Sequence, residues 1–291
     1  MQQIKYFSSS WNDIVHSRGW FGKICLLGLI ALIPIFGFMV VRGYLYGWAR
    51  DIAWRVHEPM PAKIFGNEDG GLYKRGFHLL VFNLVLALVV YLVLGLVGMI
   101  PGFASVETHT SYGSFSVTYS NVSPLYMLVY IIVVIVESFI IWIGSMRISI
   151  YGKLSPGFQL GKIWTMYKRL PGGIWRIFGM QLLFGFIIGL VLSIVFTIIL
   201  TAVIFGMIGS MGVSIGNIDY SDTYAMYAYV YQLIMAWGPA FLITLLALLY
   251  VAMVAMVFIE LLTARALGYW TMQLDVPLWR GKNDPLPFEG L

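Results

Sequence analysis

FHLLVFNLVLALVVYLVLGLVGMI, residues 77–100, holds no Asp, Glu, Lys or Arg in 24 positions. A helix rises 1.5 Å per residue, so about 20 apolar residues cross the roughly 30 Å of bilayer hydrocarbon. A backbone in lipid must satisfy its own N–H and C=O groups, so such a stretch is helical. The alternating pattern of a membrane barrel strand is absent. Three more stretches pass the same test: Pro124–Met146, whose one charged residue is Glu137; the uncharged Phe178–Met207; and Leu233–Leu262, with Glu260 near its end. The sequence predicts an all-α fold, a polytopic integral membrane helical bundle with four full spans, forming one domain over 1–291.

Composition agrees. Of the 291 residues, 60% are hydrophobic and 11% charged, against roughly 25% charged in an ordinary soluble domain. That leaves too little polarity to cover a water-soluble surface. The net charge of +5 does not point to nucleic acid, because the basic residues are confined to segments beside apolar runs. They read as contacts with anionic lipid headgroups. Cys25 stands alone, which excludes an intrachain disulfide and a Cys-based metal site. The first apolar run begins after about twenty residues of Trp-containing amphipathic sequence, with no small-x-small site behind it, and is not expected to be a cleaved signal peptide.

The basic residues orient the spans. No Lys or Arg lies between 76 and 146 or between 177 and 264, whereas six lie within 42–75 and six within 147–176. By the positive-inside rule these basic segments face the cytoplasm, and 101–123 and 209–232 face outward. Both termini are then cytoplasmic.

Ile24–Val41, ICLLGLIALIPIFGFMVV, admits two solutions. One crossing would strand Lys5, Arg18 and Lys23 outside. Pro34 removes a backbone donor and Gly37 accepts turn dihedrals, so the run can instead be a Pro-broken re-entrant hairpin with its apex at Pro34–Gly37. The charge rule favours the hairpin; a fifth span is the alternative. Three cytoplasmic stretches read as interfacial amphipathic helices: Leu45–Glu58 and Leu160–Leu170, with apolar residues at helical spacing and anchored by Trp48, Trp54 and Trp164, and Met1–Arg18, with a weaker pattern. Asp51 and Arg55 have i,i+4 spacing for a pair. Each cytoplasmic connection also runs apolar helix, basic amphipathic helix, glycine turn and long span, an echo of the kind common in transporters.

IALIPIFGFMVVRGYLYGWAR (30–50) and MPAKIFGNEDGGLYKRGFHLL (60–80) resemble the DUF4013-type family of bacterial and archaeal multi-pass membrane proteins. In that family a Pro-containing apolar segment runs into a Gly-Tyr helix start. A proline-led polar linker then precedes a glycine-marked span. Pro34, Gly37, Gly43, Tyr44, Pro61, Phe65, Asp69 and Gly76 match that outline. The family's linker tryptophan is missing, with Ile64-Phe65 in its place. The resemblance covers about residues 24–100 and implies membrane location without an assigned activity.

Three reactive motifs are absent: no GxxxxGK[ST], HExxH or CxxC occurs. No catalytic residue, cofactor or metal is expected, and Gly66–Gly71 reads as a flexible turn. Glu137, deep in its span, is the intramembrane candidate. A carboxylate there costs several kcal/mol unless it is neutral, paired or facing water. Asn83, Tyr130 or a serine are its expected partners, and a proton or cation path is its functional reading. Glu260 and His78 read as interfacial. Outside, Ser111–Ser120 suggests a short hairpin. The tyrosine-rich 217–231 offers Asp219, Tyr220, Asp222 and Tyr224 as recognition candidates, set against an ordinary aromatic belt. Pro34, Gly37 and Gly43 are expected to act in backbone breaks or packing.

Three functions follow. The first is a non-enzymatic membrane component organising lipid or a membrane-protein partner. The second is a transporter or transport subunit using Glu137. The third is a membrane-embedded lipid-modifying enzyme, for which His57, Glu58, Asp69 and His78 would have to meet.

Overall fold

The computed structural model of the protein describes residues 4–65, 70–100, 105–112, 115–215 and 223–276, with the backbone alone over 105–122 and at scattered positions of 208–234. In chain order the helices are α1 (Tyr6–Val15), α2 (Trp20–Ala31), α3 (Phe36–Ala53), α4 (Leu72–Gly98), α5 (Pro124–Tyr151), α6 (Leu160–Arg169), α7 (Pro171–Ile215) and α8 (Thr223–Met272). Between α4 and α5 stand β1 (Ser105–Tyr112) and β2 (Phe115–Val122), an antiparallel pair in which Ser105 opposes Val122. This is the expected hairpin. Stretches of α4, α5, α7 and α8 are the four helices long and apolar enough to cross a membrane. Pro124 and Pro171 open α5 and α7 at the first helical position, where a missing N–H costs nothing.

The buried core sits at one end of the bundle, the end that carries the basic residues. Val40, Trp48 and Ile52 of α3 pack there with Leu79 and Phe82 of α4, Ile143 and Met146 of α5, and Leu261 and Trp270 of α8. Beyond it the long helices touch little of each other. On α7, half-buried Ile188, Leu192, Phe196 and Leu200 recur about every four residues while the positions between them are exposed. That single stripe is what one neighbour, α8, can cover.

The break in the first apolar run falls at Leu32–Ile35, a few residues earlier than expected, and Gly37 lies in the first turn of α3. Ile35 has φ 63 and ψ −63, and the Phe36 N–H donates to the Pro34 carbonyl at 2.6 Å, a classic γ-turn. A side chain at Gly37 would strike the Ile30 carbonyl. The two arms hang from one linker: Lys23 Nζ donates to the Met60 carbonyl at 2.9 Å and the Tyr44 hydroxyl to that of Pro61 at 3.0 Å. A straight helix would put residues 23 and 44 about 31 Å apart, too far for two side chains to reach adjacent carbonyls. The chain therefore folds back at the break.

Leu45–Glu58 corrects the sequence reading. It is no separate interfacial helix: α3 runs unbroken to Ala53, and Trp48, Ala49 and Ile52 are buried in protein. Trp48 anchors the core rather than the headgroup layer. The small residues of GYLYG (43–47) make this possible. Any side chain at Gly43 would meet the Leu72 carbonyl, and one at Gly76 the Met39 carbonyl, so α3 and α4 cross backbone to backbone. Amphipathic α6 is separate as expected, with Ile163 and Met166 turned in and Trp164 55% exposed. A further short helix, α1, meets α2 at 95°.

Candidate functional site: the basic end of the bundle

Arginines at this end are structural ties. Arg265 of α8 is 1% exposed. Its Nε donates to Asp13 Oδ2 of α1 at 2.7 Å, and its Nη1 and Nη2 donate to the carbonyls of Trp48 and Glu58 at 2.8 and 3.3 Å. The guanidinium lies 3.9 Å from the centre of the Trp48 ring, whose Nε1 donates to the Glu58 carbonyl at 3.0 Å. The Tyr269 hydroxyl completes the knot, donating to Asp13 Oδ2 at 2.8 Å. A planar group with five donors can serve a carboxylate, two carbonyls and an aromatic face at once.

Four arginines of the first basic segment also have partners inside the protein, while Lys63 and Lys74 are exposed. Arg42 of α3 pairs with Glu260 of α8 at 2.8 Å, so Glu260 joins two helices rather than standing only at an interface. Asp51 pairs with its neighbour Arg50 at 3.0 Å, not with Arg55, which binds Asp275 instead. Arg75 donates from Nε to the Gly43 carbonyl at 2.8 Å.

The second basic segment differs. Its Arg147 is fully buried and donates to the Pro156 carbonyl at 3.1 Å and to Gln159 Oε1 at 2.6 Å, pinning a 3-10 turn (Ser155–Phe158) to α5. Lys153, Lys168 and Arg176 are exposed, and the sequence from 138 to 218 contains no Asp or Glu. Lys168 Nζ stands 5.4 Å over the Trp164 ring.

Glu137 sits on the face of α5 that meets α4. Tyr126, eleven residues before it, donates to the Leu94 carbonyl at 3.5 Å, and Gly144, seven after it, abuts the Phe82 ring. At 100° per residue Glu137 falls within about 20° of both. The side chain is half-buried and makes no hydrogen bond or ion pair among the described residues. Asn83 and Ser138 donate to the carbonyls of Leu79 and Val134 instead. Asp219, Tyr220 and Asp222 lie outside the described residues, as does the side chain of Tyr224.

The four groups that a lipid-modifying enzyme would need are not shown to meet. His57 and Glu58 open into a recess with Asp13 and His16, but His78 does not line it, and Asp69 lies outside the described residues. Among the described residues no group of three or more His, Cys, Asp or Glu could hold a metal ion. Sequence reasoning missed Arg265 and Arg42 as ties, because their partners lie 252 and 218 positions away. It could have seen the GYLYG motif and the acid-free stretch.

Four apolar helices joined at a basic, buried end define a polytopic helical membrane protein. The family model described as a protein of unknown function, DUF4013, matches residues 26–197, and the chain belongs to that family. The matched region runs from α2 through most of α7. Comparison with curated proteins found no match, and comparison with solved structures found none.

Proposed function

We propose that the protein is a non-enzymatic component of the prokaryotic inner membrane that organises anionic lipid against its basic end, with that end and both termini cytoplasmic. The observation that carries this reading is the exposed charge of the second basic segment, in a stretch of sequence that holds no acid. Arg42, Arg50 and Arg55 each face a carboxylate of the chain, whereas Lys153, Lys168 and Arg176 are exposed in a stretch of 81 residues (138–218) without an acid. Each such cation near an anionic leaflet contributes about 1 kcal/mol of attraction. The test is to extract the protein in polymer discs from membranes of known lipid content. Phosphatidylglycerol should be enriched in the discs over the bulk membrane, and less so for a Lys153→Gln/Lys168→Gln/Arg176→Gln variant. Discs of bulk composition would reject the reading.

A second reading, a transport subunit, is favoured by Glu137, which faces a neighbouring helix and has no bonding partner among the described residues. Its test is ion or proton flux in proteoliposomes, which Glu137→Gln should abolish.

A further inference from the structure

Beside Lys168 runs a groove between α5, α6 and the start of α7. Its volume is about 540 Å³, its walls are almost wholly carbon, and they extend along α5 from Ile132 to Ile143. Those eleven steps of helix measure about 16 Å, half of the roughly 30 Å hydrocarbon thickness and so the depth of one leaflet. At the α6 end the wall is aromatic and locked. Trp175 Nε1 donates to the Tyr167 hydroxyl at 3.1 Å, Trp164 stacks on Tyr167 with centroids 5.2 Å apart, and Phe139 meets Trp175 edge to face at 5.0 Å. A rigid wall loses little entropy when a flexible chain settles on it. Trp164 is shared: it lines the groove and carries the Lys168 ammonium over its ring.

We infer that this groove is a defined site for one anionic phospholipid, an acyl chain lying along α5 from Trp164 to Ile132 and the headgroup phosphate held by Lys168. The inference rests on the proposed lipid-organising function and replaces a diffuse attraction with a single seat. Charge complementarity selects the occupant. A second protein helix would fill the carbon-lined trough but would bring no anionic group to the exposed Lys168 beside it. A phospholipid of the leaflet supplies both an acyl chain and an anionic phosphate.

Native mass spectrometry of the full chain, incubated with equal amounts of palmitoyl-oleoyl phosphatidylglycerol and phosphatidylcholine, tests it. The wild type should retain one phosphatidylglycerol in at least about tenfold preference. Val136→Trp and Ile132→Trp, each filling the groove from an exposed position, should lose the retained lipid. Lys168→Glu should still hold one lipid, with the headgroup preference reduced about tenfold. Equal retention of the two lipids by the wild type, or unchanged retention by both tryptophan variants, would overturn the site. The disc measurement separates the two claims. An enriched annulus around a protein with no retained lipid rejects the groove alone. An unselective annulus around a protein that keeps one phosphatidylglycerol rejects the broader function alone.

Discussion

Arg265 stacks its guanidinium on the indole of Trp48 at 3.9 Å while the same group holds Asp13 at 2.7 Å. One side chain thus ties α8 to α3 and to α1, the last of the described helices to the first. Removing either charged partner leaves the other without its counter-charge at a site where Arg265 is sealed from solvent, an error that costs about 3–5 kcal/mol in a fully buried pair. Asp13 is partly exposed, with 25% of its side chain accessible, so the lower part of that range applies.

We therefore expect Asp13→Asn and Arg265→Gln each to lower stability by about 3 kcal/mol, read as a fall in the unfolding midpoint of the detergent-solubilised protein. Arg265→Lys should not restore it, because an ammonium cannot serve the carboxylate, two carbonyls and the ring together. Wild-type stability in the lysine variant would show that charge alone suffices.

The α3–α4 crossing should be intolerant of any side chain. Gly43→Ala and Gly76→Ala place a methyl group against the carbonyls of Leu72 and Met39, whereas Gly95 has open space around its Cα. Overpacking at such a contact costs about 1–3 kcal/mol. Thermal unfolding of the three variants should show losses at 43 and 76 and none at 95. Equal behaviour would mean that the two backbones separate without cost.

Residues on the two sides of the γ-turn at Ile35 should be accessible from one side of the membrane. In a Cys25→Ser background, cysteines replacing Phe21 and His57, both exposed, should react from the cytoplasmic side, and a cysteine at 168 with them. Labelling of 21 from outside and 57 from inside would make the first apolar run a fifth span. Labelling of 168 from outside would invert the orientation.

Glu137 should cross-link to α4. Interpolating between the Tyr126–Leu94 and Gly144–Phe82 contacts puts it opposite Leu86. Cysteines at 137 and 86 should form a disulfide on mild oxidation, and cysteines at 136 and 86 should not. Glu137→Gln should keep the fold better than Glu137→Leu if a hydrogen bond to this position matters, since the amide both donates and accepts. Identical unfolding of the three forms would assign the carboxyl no structural role.

The span signal was legible because it is local. In lipid a helix closes its hydrogen bonds within its own residues, so FHLLVFNLVLALVVYLVLGLVGMI reads as a helix whatever surrounds it. Pro34 marked a break for the same reason, since it alters its own backbone, whereas Gly37 lies within α3 and the turn dihedral falls on Ile35. Periodicity alone misread Leu45–Glu58. An apolar helical face looks the same whether lipid headgroups or another helix will cover it, and here α4 and α8 do.

By itself, then, the sequence determined the class of protein, its four apolar spans, the place of the break and the sorting of charge to one end. Tertiary structure alone decided what each charge does there. Arg42 and Glu260 look like isolated charges until α3 and α8 meet, and Arg265 is a surface cation until Asp13, Trp48 and Glu58 surround it. The physical reason is range: backbone bonding in a bilayer is settled within a turn of helix, whereas a guanidinium is neutralised by whichever carboxylate the fold delivers, here from more than two hundred residues away.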